Sequence, residues 1–452
     1  MALAAGTAGC ATVPDVGGIV EQPVDGSSPP KIVGARGPLS ETQSKAVLAR
    51  LDKSRDLDIL QRHLAIEEAV AETPLVVGNR TRVLSDGVET FAAMFDAIRS
   101  ARNHVNLEYY IIEDVQSGDA SLADLLVAKR REGVAVNVIY DSYGSSSTPA
   151  AFFDRLKQAG VKFTDFNPIN PLDAGTGYSL NDRDHRKILI VDGTKAIVGG
   201  VNLSTSYQSR LPGKSQGPNG EPPEYWHDTD LEIDGPAVAQ LQELFIRHWV
   251  EQKGPPLDDG RFFPNIPPVG KEIVRIIGST PDNGIPRYYV TVLSAIRNAE
   301  KTIWLAAAYF VPTHDEEEDL AAAARRGVDV RLLLPDHSDS PSALEVQHSR
   351  YADLLEAVVK IYETQHEVLH SKTMVIDGVW SVIGSSNFDH RSVLFNDEVD
   401  AVVLGGDTAG QLEKMFQDDM GRAREITLAD WSDRPVGDRI QEFLSRAWEE
   451  ML

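Results

Sequence analysis

Two short runs of side chains in this chain share a spacing that suits chemistry at phosphorus. The first is His185-Arg-Lys187-Ile-Leu-Ile-Val-Asp192-Gly193, followed by Gly199-Gly200-Val-Asn202. The second is His370-Ser-Lys372-Thr-Met-Val-Ile-Asp377-Gly378, followed by Gly384-Ser385-Ser-Asn387. In both, Lys stands two residues after His, Asp seven after and Asn seventeen after. Imidazoles titrate near neutrality, so one can attack phosphorus while the other, protonated, passes its proton to the leaving alkoxide. Lys187 and Lys372 would neutralise phosphate oxygens, and Asn202 and Asn387 would donate to charge that grows in the transition state. One phosphodiester can be flanked by both histidines only if the two segments meet. No metal or other cofactor is demanded, because the lysines supply the positive charge. The candidate catalytic set is thus His185, Lys187, Asp192, His370, Lys372 and Asp377. The two aspartates belong to it by spacing, although their strand offset puts them on the face opposite His and Lys, as turn or structural residues.

The elements that must position these groups are legible around them. Ile188–Val191 and Thr373–Ile376 are strand-like, and His and Lys two apart on a strand project from one face. Asp192-Gly193 and Asp377-Gly378 are hairpin-turn dipeptides. A two-residue turn would face Val191 to Thr194, put Gly200 opposite His185, and put Ser385 opposite His370. Each histidine would then have a small neighbour that leaves room for a substrate group.

The surroundings repeat as well, at a spacing of roughly 190 residues. Ala97-Ile-Arg-Ser-Ala-Arg-Asn-His-Val-Asn-Leu107 matches Ala295-Ile-Arg-Asn-Ala-Glu-Lys-Thr-Ile-Trp-Leu305. Residues 125–140 match 320–334, each reading as a helix closed by a glycine (Gly133, Gly327) and then a β-branched strand. Strands alternating with helices imply α/β layers. The predicted architecture is two similar α/β/α domains related by a pseudo-twofold, with the active site at their interface. The expected divisions are an N-terminal tether (1–39), a helical segment (40–75), a first domain (76–253), a Pro-rich linker (254–270) and a second domain ending in a helical tail (271–452). A Gly/Pro/Ser-rich loop over 209–223 interrupts the first domain alone.

Composition narrows the function. The 452 residues carry 44 Lys and Arg against 68 Asp and Glu, for a formal net charge of −24, which argues against a general grip on nucleic acid. A single cysteine excludes a disulfide framework and Cys-built metal sites. No stretch approaches the ~18 consecutive apolar residues that would suggest a spanning helix. That cysteine, Cys10, follows Thr7-Ala8-Gly9 and resembles the lipobox of bacterial lipoproteins, in which the thiol is acylated. This predicts membrane association, a lipid anchor and a periplasmic location, with residues 11–39 as the tether. No basic segment precedes Cys10, so the expected signal would begin upstream of the sequence given.

The paired motifs resemble the phospholipase D superfamily, with its duplicated His-Lys-Asp motif, and within it the bacterial cardiolipin synthases. The resemblance extends to Tyr140-Asp-Ser-Tyr-Gly144, Ala308-Tyr-Phe-Val-Pro312, Asn396-Asp-Glu-Val399 and the tail from Trp431, so that it covers the chain from about Val76 onward. It implies transphosphatidylation: a phospholipid such as phosphatidylglycerol donates a phosphatidyl group through a phosphohistidine, and a lipid alcohol accepts it. It points to His185 as nucleophile and His370 as acid. It also implies that a carboxylate orients a histidine, with Glu398, 28 residues after His370, as the candidate. Aligning Trp226-His-Asp228 with Phe395-Asn-Asp397 sets Thr229 in the place of Glu398, which leaves Asp228 as the candidate in the first half. The expected partners are phospholipids and a membrane surface, not nucleic acid; oligomeric state is left open. Hydrolysis to phosphatidic acid, a nuclease of the same superfamily, and a binding module with a degenerate site are the alternatives. Arg183, Arg186 and Arg391 are candidates for positive charge at the mouth. Glu108, Tyr109, Tyr309 and Phe310 end strands that approach the pocket, to line an acyl path or to pack. His104, His227, His314, His337 and His348 read as surface or core residues.

Overall fold

A computed structural model describes residues 13–21, 30–51, 58–60, 62–168, 179, 181–208, 225–258, 260–281, 284–365 and 367–434. Cys10, the loop over 209–223 and the tail beyond Arg434 lie outside the described residues.

The repeat seen in the sequence is a repeat of strands. In the first half, Lys162–Phe166, Ala135–Asp141 and His104–Tyr109 run parallel. Lys187–Val191, Lys195–Gly199 and Thr229–Asp234 continue antiparallel from them. In the second half, Lys360–Thr364, Asp329–Pro335 and Thr302–Ala307 run parallel, and Lys372–Ile376, Trp380–Gly384 and Asn396–Leu404 follow antiparallel in the same order. The long strand Leu75–Ser85 belongs to both sheets. Its first part pairs with Glu272–Ser279 of the second half, and Arg80 to Ser85 pair with Thr229–Asp234 of the first.

Helices cover the outer faces because their apolar stripes match the strand faces beneath. Phe91, Met94, Phe95 and Ile98 of helix Asp86–Ser100 pack on Val105, Leu107, Leu189 and Ile197. Val292, Ala295 and Ile296 of helix Arg287–Arg297 do the same on Ile303, Leu305 and Ile376. Helix Leu122–Arg131 is capped by Ser121, which accepts from Asp124 N, and ends before Gly133, whose φ of +88° reverses the chain. Between the sheets lies a shared core: Ile188, Ile190, Val198 and Ile233 from one half meet Val274, Ile276, Ile383 and Ala401 from the other, flanked by helices Val238–Glu251 and Gly406–Met420. That core fixes the halves against each other.

The tether expected over 1–39 is packed chain wherever it is described. Val16 and Val20, buried, sit against Tyr289, Val290 and Leu293, and Ile32–Gly34 adds a strand beside Leu75 and Val76. Isolated apolar residues in a Gly/Pro-rich run suffice to anchor it. No helix among the described residues is long and apolar enough to cross a membrane.

Candidate active site

The hairpins after the two histidines turn as Asp-Gly predicts: φ is +52° and +65° at Asp192 and Gly193, and +53° and +66° at Asp377 and Gly378. The ladders, however, pair Val191 with Lys195 and Ile376 with Trp380. Three residues therefore form each loop, and the expected register is one residue off. Gly200 and Ser385 do not face the histidines. They make room for carboxylates instead. A Cβ at Gly200 would collide with Asp228, and Ser385 Oγ donates to Glu398.

Those two carboxylates orient the histidines, and they do so across the interface. His185 Nδ1 lies 3.0 and 3.1 Å from the carboxylate oxygens of Glu398, in the opposite half. His370 Nδ1 lies 2.7 Å from Asp228 Oδ2, again in the opposite half. Backbone bonds cross in the same way: His185 N donates to Asp397 O at 2.9 Å, and His370 N donates to His227 O at 2.7 Å. Glu398 thus serves the histidine of the first half, not the one 28 residues before it. The alignment that put Thr229 in its place is also one residue off. Gly199 pairs with Asp230 and Gly384 with Asp400, so Asp228 is the counterpart of Glu398. Glu398 is held in turn by Ser392 Oγ at 2.8 Å and Asn396 Nδ2 at 3.2 Å. Asp228 accepts from Thr229 N at 2.8 Å.

Lys187 and Lys372 lie on the faces of their histidines as the strand period predicts. Lys187 Nζ donates to His185 O, and Lys372 Nζ lies 2.9 Å from His370 Nδ1. Asn202 Oδ1 accepts from Ile111 N at 3.2 Å. Asn387 is buried with its Oδ1 unpartnered among the described residues. Tyr110 stands edge-on to His185, with ring centroids 5.4 Å apart. Trp226, Tyr207 and Tyr309 surround His370 at 5.2, 6.1 and 5.9 Å, and Tyr207 OH lies 3.0 Å from its Nδ1. Tyr110, Tyr207 and Trp226 carry no signal in the sequence, because none lies at a fixed offset from its histidine.

Asp192 and Asp377 leave the catalytic set. Asp192 accepts from the backbone N–H groups of Arg102, Asn103 and His104, and Asp377 from those of Glu300, Lys301 and Thr302. Each ties a hairpin turn to the start of the neighbouring strand, at the end of the strand away from His and Lys. Arg186 leaves the mouth. It is buried, with Nη1 3.2 Å from Glu108 and Nε donating to Glu398 O at 3.2 Å, so it clasps the two halves behind His185. His248, absent from the sequence reading, joins this cluster at 2.9 Å from Glu108. Glu108, Asp184 and His248 are also spaced as metal ligands, but the Arg186 guanidinium already brings a positive charge into the group. Tyr109 and Phe310 are core residues, Phe310 stacked on Phe388. His227, on the opposite side, is clasped between Asp86 at 2.5 Å and Asp419 at 3.1 Å.

Burial and mutual repulsion set the protonation of these groups. Burial, opposed by Glu398 and aided by Lys187 and Lys372, lowers the His185 pKa to about 4. Burial and then Lys372 lower that of His370, against Asp228. Burial lowers Lys187 to about 7, with Glu398 opposing and Lys372 adding, and burial lowers Lys372 as well. Burial alone would raise Glu398, yet His185 and Lys187 hold it below the usual carboxylate range. Two lysines thus face two charged carboxylates, and an anion bound between them would raise the lysines and histidines that burial depresses.

Comparison with known proteins identifies the family. A family model described as "Cardiolipin synthase, PLD-like domain" matches residues 94–249 and 292–420. The cardiolipin synthase of Geobacillus thermodenitrificans is 35% identical over 393 residues, spanning 86% of this chain and 75% of its own. Cardiolipin synthase 2 of Bacillus anthracis is 34% identical over 375 residues, spanning 82% and 70%. The crystal structure of phosphatidylserine synthase from Haemophilus influenzae superposes with a TM-score of 0.65 over 86% of this chain and 98% of that one, at 13% identity, and shows the shared fold.

Proposed function

Since the chain belongs to the cardiolipin synthase family of PLD-like proteins, we propose that it is a phosphatidyltransferase that joins two phosphatidylglycerol molecules through a phosphohistidine. The observation that carries the reading is the crossed pair His185–Glu398 and His370–Asp228. Each ring has its Nδ1 engaged by a carboxylate, which leaves Nε2 as the reacting nitrogen.

His185, neutral in the free site, attacks phosphorus with its Nε2 lone pair. The P–O bond to the glycerol headgroup breaks, and the alkoxide takes the proton from His370 Nε2. Glycerol departs. A hydroxyl of a second phosphatidylglycerol then gives its proton to His370 and attacks phosphorus, and the P–N bond breaks to return His185. Lys187 and Lys372 hold the non-bridging oxygens, and Asn387 offers a further polar contact. The incoming phosphodiester monoanion offsets the crowding of cations, which favours the protonated His370 that the acid step requires. Glu398 stabilises the positive charge that His185 gains as a phosphohistidine.

The substrate lies in a bilayer, so the enzyme works at a membrane surface. Cys10, in its lipobox-like setting, is the proposed anchor. C10S should move the protein from the membrane to the supernatant with its activity on detergent-dispersed lipid retained; continued membrane attachment would remove the anchor. Purified protein incubated with phosphatidylglycerol should yield cardiolipin and glycerol by mass spectrometry, and H185A and H370A should each abolish the product. Phosphatidic acid as the sole product would mean hydrolysis, and full activity in either variant would defeat the two-histidine scheme.

A further inference from the structure

The rims of the two half-sites differ in charge, although their cores match. Beside His185, Tyr110 is flanked by Asp141, Tyr143, Arg183 and Arg391, and Arg183 lies over the Tyr143 ring at 5.5 Å. Beside His370 an exposed carboxylate, that of Asp339, acts on the ring. Tyr309 stands edge-on to His370, with centroids 5.9 Å apart and planes at 89°. Its hydroxyl donates to Asp339 Oδ1 at 2.8 Å. Asp339 sits in the loop after Asp329–Pro335, at the carboxyl end of a parallel strand, where α/β sheets receive ligands. It is exposed. Ser338 Oγ also bonds its Oδ1, at 3.3 Å, and among the described residues nothing bonds its Oδ2. Its charge reaches the chemistry, acting on both His370 and Lys372.

A carboxylate beside a phosphate pocket repels the phosphate itself, so its use lies with the group attached to that phosphate. We propose that Asp339 and Tyr309 form a headgroup site that binds the two free hydroxyls of a glycerol-type diol on the alcohol that leaves at His370. Asp339 Oδ2 accepts one hydroxyl. The Tyr309 oxygen, whose proton is committed to Asp339, accepts the other. This rests on the phosphatidyltransferase reading and adds to it the residues that recognise the headgroup of the donor. A carboxylate that accepts from a headgroup hydroxyl discriminates against an analogue lacking that hydroxyl.

The test compares phosphatidylglycerol with phosphatidylmethanol, which carries the same phosphate and acyl chains but no free hydroxyl. D339N is isosteric and exposed, so it leaves the fold alone, and any general change in the field at His370 affects both lipids. The ratio of kcat/KM for the glycerol over the methanol lipid should fall about tenfold in D339N and severalfold in Y309F, which keeps the ring against His370. An unchanged ratio in D339N overturns the proposal. So does a fall confined to a phosphatidylethanolamine arm, which would assign the carboxylate to an ammonium group. Wild-type protein inactive on every lipid defeats the phosphatidyltransferase reading, whereas wild-type activity with an unmoved ratio defeats the headgroup site alone.

Discussion

The crossed carboxylates make a prediction specific to each step. In E398Q the side chain keeps its volume but loses its charge. Four donors converge on Glu398: His185, Ser385, Ser392 and Asn396. Serine hydroxyls can turn to accept from the new amide, and its oxygen at the Oε1 position can still accept from His185 and Asn396, but as a neutral acceptor. The loss is therefore one charge-assisted bond and the stabilisation of a cationic His185, about 2–3 kcal/mol, or roughly 30- to 150-fold in kcat. D228N should lose a similar factor, but through His370. A lipid with a p-nitrophenol headgroup separates the two, because nitrophenolate departs without a general acid. On that substrate, D228N should recover most of the wild-type rate of nitrophenol release, and E398Q should not. Stopped-flow absorbance reads both. Recovery of E398Q together with failure of D228N would reverse the assignment of nucleophile and acid. Wild-type rates in E398Q on the natural lipid would refute the positioning role altogether.

Tungstate remains a dianion across the neutral range, so its affinity reports the charge of the pocket alone. With Lys187 lowered by burial to about 7 and raised by a bound anion, binding takes up a proton above that pH. Calorimetry should find a dissociation constant that rises most steeply, by up to tenfold per pH unit, above about pH 7; a flat profile from pH 6 to 9 would contradict the depressed lysine. D192A removes the acceptor of three backbone N–H groups and should cost about 1–3 kcal/mol of stability by denaturant melt, with the kcat of the folded protein retained. A hundredfold loss of kcat in a folded D192A would return Asp192 to the catalytic set. The interface clasps give stability its own pH dependence. Burial opposes charge on His227 and His248, yet Asp419 and Asp86 push the first up to about 10, and Glu108 pushes the second up to about 9. Both exceed the unfolded value of roughly 6.5, so their contribution is complete below that pH and is lost as pH rises to about 10. The melting temperature should fall across that window, and less so in H227Q.

The sequence carried the half-sites because their spacing is local. His, Lys and Asp within eight residues occupy one strand and its turn, and duplication at matched positions excluded chance. It could not carry what depends on pairing across the sheets. The one-residue error at Gly200 came from counting a two-residue turn where the ladder leaves three residues out. The same slip hid the equivalence of Asp228 and Glu398, since a residue's place opposite Gly199 or Gly384 is a tertiary fact. The crossing itself was illegible: Glu398 is nearer in sequence to His370, and only the packed interface hands it to His185. Arg186 reads as a mouth cation by its place in the motif and is buried because Glu108 and Asp397, far away in the chain, converge on it.

Strand Leu75–Ser85 gives its ladder bonds to one sheet and then to the other, so the halves are stitched through a common backbone. Parting them like a clamshell would tear hydrogen bonds along its length and strip both histidines of their carboxylates at once. Lipids must therefore come and go with the halves held together. The first alcohol is exchanged for the second at histidines that never leave their carboxylates, so the double-displacement rhythm is built into how the chain is sewn together as much as into the chemistry on the ring.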